Sequence, residues 1–528
     1  MGVYLNPGNE GFSAICKGTY IDKTGMLGVM NKTIGTKRKM IFISRPRRFG
    51  KSYAAKMLCA YYDKTCDSHV LFDDLKIATD ERYSATYLEH LNHYDVIYLD
   101  MTNIMGKASG ADIVPFIQKT VTAELMESYP DVKAGHSFDE TLLNTTLYTG
   151  NKFIAIIDEW DALIRDSRTD FSVQKKYLDF LRMLFKGSGT TDRIFDGVYM
   201  TGILPIKKDG SQSALSDFTE YTMLYPDEYQ EFVGFTEEEV RDLCEKNQMD
   251  FEETKRWYDG YYFPQVGSIY NPFAIMEVMR TKNYRSYWRK TSASESLLKY
   301  VSMDYQGLAK AVAELIGGIR IKIDPDGFDN DLVSFRSKDD VLTLLIHFGY
   351  LAYDEASSTV RIPNEEIRVE FARTIREVEH SETIQRVQDS DQLIENTIHM
   401  NEQAVAAQIE KVHDDETTSL FYNNEQALRS VIKLAYFSYW DHFLKFEELP
   451  SGKGYADLVY YPQKDSAYPV FVIELKWNQT EDGAIAQIKE KKYPSVLEGY
   501  GGDILLVGVN YDADTKQHTC RIEKVEIR

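Results

Sequence analysis

Residues Ile41-Phe-Ile-Ser-Arg-Pro-Arg-Arg-Phe-Gly-Lys-Ser52 run from an apolar pattern through an arginine-rich loop into a helical pattern. The apolar run predicts a buried parallel strand, and the loop ends in Gly50-Lys51-Ser52. In this order of strand, loop and helix, backbone N–H groups and a helix N-terminus face phosphate groups. The lysine of such a loop reaches the β and γ phosphates of a nucleotide, and the serine hydroxyl helps to hold Mg²⁺.

The general phosphate-loop pattern, G-x-x-x-x-G-K-[ST], requires a glycine at position 45, where this chain has Arg45. The alternative interpretation is a chance Gly-Lys-Ser in an ordinary turn between a strand and a helix. Because a strand pattern precedes the loop and a helical pattern follows it, the phosphate loop is favoured. The residues expected to bind the nucleotide in this loop are Arg47, Arg48, Phe49, Gly50, Lys51 and Ser52.

A second motif supports a nucleotide site. Asn151-Lys-Phe-Ile-Ala-Ile-Ile-Asp158-Glu159 is an apolar strand pattern that ends in adjacent carboxylates. In a P-loop ATPase the first acid supports Mg²⁺, and the second polarises the attacking water as a general base. We therefore expect Ser52 and Asp158 at the metal and Glu159 in catalysis. Two acids in a strand-end loop without function are the alternative, which an upstream phosphate loop disfavours.

The remaining strand patterns of this half predict the fold class. Strands separated by helical stretches indicate a parallel, three-layered α/β sheet with ligands at the carboxyl ends of its strands. One such strand ends at Thr201, which we expect to sense the γ-phosphate. An arginine finger from a neighbouring copy is expected in an oligomeric ATPase, and Arg165, Arg182 and Arg193 are its unranked candidates.

Composition limits the class of protein. A chain of 528 residues predicts about three or four domains. It has no apolar run of about 18 residues and no signal-peptide pattern, so neither membrane insertion nor secretion is expected. The five cysteines are scattered, which favours thiols in a reducing cytoplasm. A net charge of −21 argues against a surface that coats nucleic acid non-specifically, so any nucleic-acid contact must use local basic patches.

Five motifs resemble those of the bacterial AAA-ATPase-like family. They are Arg45-Pro-Arg-Arg-Phe-Gly-Lys-Ser52, Ile157-Asp-Glu-Trp-Asp161, Gly234-Phe-Thr-Glu-Glu-Glu-Val240, Trp257-Tyr-Asp-Gly-Tyr261 and Tyr270-Asn-Pro272. The resemblance extends along most of the chain, and family members also replace the first glycine of the phosphate loop with an arginine-rich segment. Together with the patterns above, it implies a P-loop AAA-type ATPase core over 1–233 and a helical lid over 234–290. The order of helix, strand, wing and helix patterns predicts a winged-helix-like module over 291–380, and a charged helical pattern predicts a helical connector over 381–415.

The last part of the chain carries a different constellation. Asp457 lies in one strand pattern, and Glu474-Leu-Lys476 ends another. Residues two apart share a strand face, so Glu474 and Lys476 project together, and pairing in a hairpin would bring Asp457 beside them. Two carboxylates can hold a divalent ion against a scissile phosphate while the lysine positions or activates water. Oxygen ligands without His or Cys favour Mg²⁺ or Mn²⁺ over zinc. The alternative interpretation is a solvent-facing ion pair.

The surroundings of these residues resemble the PD-(D/E)XK nuclease domain, a restriction-endonuclease-like α/β fold, over 416–528. The resemblance is carried by Leu449-Pro-Ser-Gly-Lys-Gly-Tyr-Ala-Asp457, Ile473-Glu-Leu-Lys476 and Ala486-Gln487-Ile488. It implies Glu425 as a further metal ligand with Asp457 and Glu474, and it implies that Gln487 flanks the metal. The usual Gly-Arg pair near the first acid is replaced by Gly452-Lys453-Gly454.

These features predict an ATP-binding and ATP-hydrolysing protein coupled to a metal-dependent nuclease, with a role in defence or mobile-element biology implied by the family. The expected cofactors are ATP and Mg²⁺, with Mn²⁺ as an alternative at the nuclease site. The expected partners are ATP, nucleic acid (DNA in preference to RNA) and further copies of the chain, with no membrane. The alternatives are an ATP-driven oligomeric signalling or binding switch that does not cleave, and a small-molecule kinase.

Overall fold

The computed structural model describes residues 2–526 with short gaps, and it divides the chain into two compact units. The residues outside the described part are 109, 167–169, 187–188, 207, 210–211, 214, 289–307, 327, 329–334, 336, 378–380, 417–424, 437, 439–442, 452–453, 463–467, 491–496 and 498–501. The first unit comprises Met1–Tyr287 and Ile323–Asn364, and the second comprises Trp288–Lys322 and Glu365–Arg528.

The strands, in chain order, are Met40–Ser44 (β1), Asp95–Asp100 (β2), Phe153–Asp158 (β3), Phe195–Gly202 (β4), Lys208–Asp209 (β5), Gln212–Ser213 (β6), Thr219–Tyr221 (β7), Phe235–Thr236 (β8), Tyr261–Phe263 (β9), Gly267–Tyr270 (β10), Ile321–Lys322 (β11), Ala352–Asp354 (β12), Thr359–Arg361 (β13), Phe443–Ser451 (β14), Gly454–Pro462 (β15), Val470–Trp477 (β16), Asp503–Asp512 (β17) and Gln517–Glu526 (β18).

The α-helices are Glu10–Cys16, Gly25–Asn31, Lys51–Tyr62, His69–Phe72, Lys76–Thr79, Tyr87–His90, Met101–Lys107, Ile113–Ser128, Phe138–Thr149, Ala162–Arg165, Phe171–Phe185, Thr191–Ile194, Glu237–Asn247, Phe251–Tyr258, Pro272–Thr281, Leu308–Ile316, Lys338–Phe348, Glu365–Glu377, Ser381–Ile398, Glu402–Glu416, Glu425–Ala435 and Glu481–Glu490. In the part of the chain that is described, none of these helices combines the length and the apolar character needed to cross a membrane.

The first unit is built on a five-stranded parallel sheet with the order β2-β3-β4-β1-β7. All five residues of β1 are buried, as expected of a strand covered on both faces. Because β4 lies between β1 and β3, the loops that follow these three strands meet at one edge of the sheet. The predicted α/β class with a parallel sheet is therefore confirmed.

A small antiparallel sheet in the first unit lies in the region predicted as a helical lid. Helices Glu237–Asn247, Phe251–Tyr258 and Pro272–Thr281 are present, but β8, β10 and β9 also pair, in that order. These strands have only two to four residues each, so their alternation is too short to stand out from the helical pattern around them. Thr236 caps helix Glu237–Asn247, since its side chain and Glu239 form a capping box.

The region predicted as a winged-helix-like module contains helix Lys338–Phe348, the antiparallel hairpin of β12 and β13, and helix Glu365–Glu377. The boundary between the two compact units falls at the start of the last helix. The winged-helix assignment and the five domain boundaries stay predictions.

The second unit is built on a five-stranded mixed sheet with the order β14-β15-β16-β17-β18. Only β16 and β17 pair in parallel, and the other neighbours are antiparallel. Val470 and Val472 of β16 pack in one cluster with Ile485 and Ile488, so helix Glu481–Glu490 covers the face that these even-numbered residues share. This face continues along the strand to Glu474 and Lys476.

The region predicted as a helical connector contains helices Ser381–Ile398 and Glu402–Glu416. His413 is buried there, and its Nδ1 lies 2.9 Å from Nε2 of His518 in the neighbouring strand β18. The polar sequence of this segment resembles a linker, but packing against the sheet keeps it helical as far as Glu416.

Arg45 secures the edge of the first unit's sheet. Its guanidinium is fully buried and donates hydrogen bonds to the carbonyl oxygens of Ser44 at 2.8 Å, Tyr221 at 3.2 Å and Thr222 at 2.9 Å. It also lies 5.1 Å from the ring centroid of Phe263. Burial lowers the pKa of Arg45 to about 10. Arg45, the residue that departs from the general phosphate-loop pattern, therefore directs its guanidinium to backbone carbonyl groups at the end of β7.

We predict that Arg45→Gly, which restores the general phosphate-loop pattern, lowers the free energy of unfolding of the first unit by about 3 kcal/mol, because buried carbonyl groups lose their donor. Thermal unfolding of the full chain measures this loss. Arg38→Ala is the control, since Arg38 is exposed and its ion pair with Glu228 spans 3.2 Å; its expected effect is below about 1 kcal/mol. Equal stability of Arg45→Gly and wild type would contradict the role of Arg45.

Candidate active sites

The phosphate loop joins β1 to helix Lys51–Tyr62. Gly50 precedes the helix with φ 97°, a left-handed conformation that favours glycine, and a Cβ there would meet nothing within 4 Å. The buried ammonium of Lys51 donates to the carbonyl oxygens of Arg45 and Pro46, both at 2.9 Å. Burial lowers the pKa of Lys51 to about 8, although the nearby carboxylate of Glu159 opposes that shift. The lysine is thus held over the loop beside acidic groups.

The side chains of the preceding loop residues have different surroundings. Phe49 is buried and packs edge-to-face on Tyr261, with ring centroids 5.5 Å apart. The guanidinium of Arg48 lies 3.8 Å from the ring centroid of Phe273. Burial lowers the pKa of Arg47, and the positive charge of Arg165 acts in the same direction. Phe49 can therefore offer a ligand only its backbone N–H, whereas Arg47 lies near the acids that follow β3.

Asp158 is buried at the carboxyl end of β3. Burial raises its pKa to about 6, although a hydrogen bond with Ser52 and the charge of Lys51 oppose the shift. Its Oδ1 atom is buried and makes no hydrogen bond to any described atom. A hydroxyl and a buried carboxylate with one unpaired oxygen are the hard oxygen ligands that Mg²⁺ prefers. Ser52 and Asp158 are thus brought together as the sequence predicts, and they fit a magnesium site.

Glu159 has an unusual backbone conformation, with φ 54°. Its Oε2 atom accepts hydrogen bonds from Thr102 Oγ1 and Arg165 Nη2, both at 3.0 Å. Burial by itself would raise the pKa of Glu159, but the charges of Lys51 and Arg165 outweigh it and hold that pKa below its ordinary value. Glu159 is therefore ionised at neutral pH, as a general base must be before it accepts a proton.

Arg165 is ion-paired within its own chain. Its Nε donates to Asp161 Oδ2 at 2.8 Å, and that oxygen also accepts the backbone N–H groups of Ile203 at 3.1 Å and Leu204 at 2.9 Å. Asp161 thereby joins the loop after β3 to the loop after β4. From the sequence, Arg165 was predicted only as a candidate arginine finger for a neighbouring copy of the chain. Its spacing of four residues from Asp161 on a helical segment is the signal for an intrachain pair.

Thr201 lies opposite Ile43 of β1 and is fully buried. Its carbonyl oxygen accepts the backbone N–H of Trp160 at 2.9 Å. A Cβ on the next residue, Gly202, would approach the Trp160 ring to 2.6 Å, so only glycine allows this contact. Thr201 therefore lies at the same edge of the sheet as Lys51, although its role as a sensor of phosphate stays a prediction.

The second unit brings together four predicted site residues. β15 and β16 pair antiparallel with Leu458 opposite Ile473, which places Asp457 beside Glu474. Lys476 Nζ lies 3.8 Å from Glu474 Oε1 and donates to Gln487. Asp457 Oδ2 accepts the backbone N–H of Leu475 at 2.9 Å. The acids, lysine and glutamine form one buried cluster, in contrast to a solvent-facing ion pair.

A fifth residue of this cluster, Arg429, was missed by the sequence analysis. It donates from Nη2 to Asp457 Oδ1 at 2.7 Å. It lies on helix Glu425–Ala435, and its position one helical turn after Glu425 is the signal that could have identified it. The side chain of Glu425 is outside the described part, as are Gly452 and Lys453. Among the described residues, no group of three or more His, Cys, Asp or Glu side chains could hold a metal ion. The described oxygen ligands are therefore two, from Asp457 and Glu474.

Comparisons with known proteins give two family matches. Residues 8–211 match the family described as "Predicted AAA-ATPase", and residues 423–520 match the PD-(D/E)XK nuclease superfamily. The chain thus combines an AAA-ATPase-like region with a PD-(D/E)XK nuclease superfamily region, as its motifs predict.

The chain is also similar to an "Uncharacterized protein in vnfD 5'region" of Azotobacter chroococcum mcd 1, with 23% identity over 282 residues, which are 53% of this chain and 52% of that protein. It therefore spans about half the length of the curated relative it matches.

Among solved structures, the Aeropyrum pernix ORC2 protein in its ADPNP-ADP complexes matches with a TM-score of 0.28 and 13% identity, covering 68% of this chain and 96% of that one. The ADP form of ORC2 matches with a TM-score of 0.27 and 11% identity, covering 67% and 93%. At these TM-scores the likeness carries no argument.

We predict that Asp158→Asn stabilises the ligand-free chain by about 2 kcal/mol at neutral pH, because the amide removes the cost of burying a carboxylate. The folded pKa of about 6 lies above that of an unfolded aspartate. The cost is therefore full above about pH 6 and falls away as the pH drops towards about 4. The difference between the variant and wild type should shrink over the same range in thermal unfolding experiments.

Asp100→Asn is the matched control for this prediction. Asp100 ends the neighbouring strand β2, is half-buried and caps a helix by accepting the N–H of Asn103 at 2.9 Å. Asparagine caps a helix as well as aspartate does, so we expect a change below about 0.5 kcal/mol. Destabilisation by Asp158→Asn at neutral pH, with Asp100→Asn unchanged, would contradict the account of Asp158.

Proposed function

We propose that this chain binds and hydrolyses ATP in its first unit and that the ATP state controls a metal-dependent nuclease in its second unit. The observation that carries the ATPase is the pairing of Ser52 with the buried carboxylate of Asp158, whose second oxygen is unpaired, beside the ammonium of Lys51. These groups lie at the carboxyl edge of a parallel sheet, where α/β proteins bind their ligands.

In the proposed ATP site, backbone N–H groups from Arg47 to Ser52 and the helix N-terminus bind the phosphates. Lys51 exchanges the carbonyl oxygens of its own loop for phosphate oxygens, a change that restores a full charge partner to a buried ammonium. Ser52 and Asp158 would hold Mg²⁺, which supplies charge neutralisation on the phosphates when bound. Thr201 contacts the γ-phosphate.

Glu159 is the proposed general base. Its carboxylate is ionised and held by Thr102 and Arg165, so it can orient a water molecule and accept its proton. Arg165 is a positioning residue, because it acts on the reaction through Glu159 and Asp161. An arginine finger from another copy of the chain remains part of the proposal, with Arg182 and Arg193 as its sources.

In the proposed nuclease site, Asp457 and Glu474 would hold Mg²⁺ or Mn²⁺, with Glu425 as a third ligand. The metal supplies Lewis-acid activation of a phosphodiester when bound. Lys476, oriented by Gln487, positions the attacking water and stabilises negative charge on the phosphate. We propose DNA rather than RNA as the substrate, with a role in defence or mobile-element biology. Further proposals are assembly into oligomers and, because the five cysteines are free thiols, a cytoplasmic location.

A non-cleaving switch is the second candidate, and one observation favours it. Asp457, the first acid of the nuclease site, is already paired with Arg429 at 2.7 Å. A permanent pair would neutralise a ligand that the metal needs, and the second unit would then only bind a partner while the ATPase drives oligomerisation. The two candidates are separated by DNA cleavage. If the wild type cleaves and Glu474→Ala does not, the nuclease is supported over the switch.

For the ATPase we predict that Lys51→Ala abolishes ATP binding, whereas Glu159→Gln still binds ATP but hydrolyses it about 100-fold more slowly, as expected on loss of a general base. Binding of a fluorescent ATP analogue and release of phosphate without any acceptor measure the two effects. Lys56→Ala is the control, because Lys56 is exposed on the same helix as Lys51. ADP formation that requires an added small-molecule acceptor, with the phosphoryl group recovered on that acceptor, would support the kinase alternative and refute the ATPase.

For the nuclease we predict cleavage of plasmid or single-stranded DNA in Mg²⁺ or Mn²⁺, a change in its rate with ATP, and a loss of at least about 100-fold in Lys476→Ala. Lys489→Ala should cleave like wild type, since Lys489 lies on the helix of Gln487 but pairs at the surface with Glu523. Lys51→Ala should remove the response to ATP. No cleavage by wild type, with ATP turnover intact, would refute the nuclease.

A further inference from the structure

Arg429 and Asp457 form the closest ion pair of the proposed nuclease site. The side chains are 21% and 10% exposed, and Nη2 lies 2.7 Å from Oδ1. The other carboxylate oxygen, Oδ2, accepts the backbone N–H of Leu475 at 2.9 Å. That N–H belongs to a strand of the sheet, whereas the guanidinium ends a side chain with several rotatable bonds. A cation that binds Asp457 through Oδ1 therefore competes with Arg429 for that oxygen.

Among the described side chains of the site, positive and negative charges balance before a metal binds. Asp457 and Glu474 contribute two negative charges, and Arg429 and Lys476 contribute two positive charges. A divalent cation on the carboxylates adds two positive charges to a partly buried site, and added positive charge attracts the phosphates of a nucleic-acid backbone. A guanidinium that leaves the carboxylate can bind phosphate oxygens, which match its paired N–H donors.

We propose that Arg429 is a phosphate-binding residue that exchanges the Asp457 carboxylate for a backbone phosphate of the nucleic acid when a divalent cation takes that carboxylate. This inference rests on the proposed nuclease site. Metal binding and nucleic-acid binding then strengthen each other. The metal releases Arg429 for a phosphate, and the phosphate keeps Arg429 away from the Asp457 carboxylate that the metal binds. A purely structural ion pair would instead only hold helix Glu425–Ala435 against the sheet.

The test uses Arg429→Gln in the full chain without nucleotide. Titration with Mn²⁺, followed by electron paramagnetic resonance of the free ion, should show about tenfold tighter binding than in wild type, because the competing guanidinium is gone. The same variant should bind a duplex DNA about tenfold more weakly in Ca²⁺, an ion chosen to form the complex without relying on cleavage. Asp457→Asn should lose the Mn²⁺ site, which assigns the signal to this cluster.

Arg521→Gln is the matched control, because Arg521 is a half-exposed arginine of the same unit whose Nη1 lies 3.7 Å from Glu402 Oε1. Both affinities should be unchanged in it. Arg429→Lys keeps the charge and carries the test if Arg429→Gln does not fold; its Mn²⁺ affinity should stay near that of wild type while its DNA affinity falls, since lysine lacks the paired donors.

Mn²⁺ affinity that stays unchanged or falls in Arg429→Gln would overturn the exchange and leave a structural ion pair. Unchanged DNA affinity would equally overturn the phosphate contact. If Arg429→Gln changes both affinities as predicted but the wild-type chain never cleaves DNA, the exchange is supported and the proposed nuclease activity is refuted. A chain that binds neither Mn²⁺ nor DNA would refute both.

Discussion

The proposed ATP site depends most on the hydrogen bonds that the carboxylate of Asp161 accepts. This carboxylate is completely buried and accepts two backbone N–H groups from the loop after β4 together with the guanidinium of Arg165. One side chain thereby ties the loop that carries the proposed base to the loop that follows the strand of the proposed sensor, Thr201. Burial of a carboxylate is unfavourable without such partners. The acid therefore requires all three donors to be in place.

The two proposed sites manage buried charge in similar ways. In the first unit Lys51 is held by carbonyl oxygens of its own loop, and in the second Lys476 is held by Gln487. In both, a carboxylate lies close to the lysine, and an arginine pairs with an acid of the site. Neutral acceptors hold the lysines in position. Such an arrangement suits groups that must later bind anionic phosphate oxygens.

Sequence patterns predict the strands and the acids but not the partners of those acids. β1 and β3 are continuous apolar runs, so their positions and the polar residues at their ends follow from the pattern. The small sheet of β8, β9 and β10 was missed because its strands are too short for a periodic signal. Arg45 could not be assigned, since its acceptors at Tyr221 and Thr222 lie about 180 residues away and meet it only through the pairing of β1 with β7. The burial of His413 against His518 could not be predicted either, because it depends on tertiary packing.

The proposed function links a nucleotide state in one unit to phosphodiester chemistry in the other, and coupling of this kind is reciprocal for binding. The most direct test is the rate of ATP hydrolysis by the full chain with and without DNA in Mg²⁺, measured for wild type and for Glu474→Ala. We expect DNA to change the rate of ATP hydrolysis by the wild type. Glu474→Ala should lose this response and keep the rate it has without DNA. ATP turnover that is the same with and without DNA would contradict the coupling of the two sites.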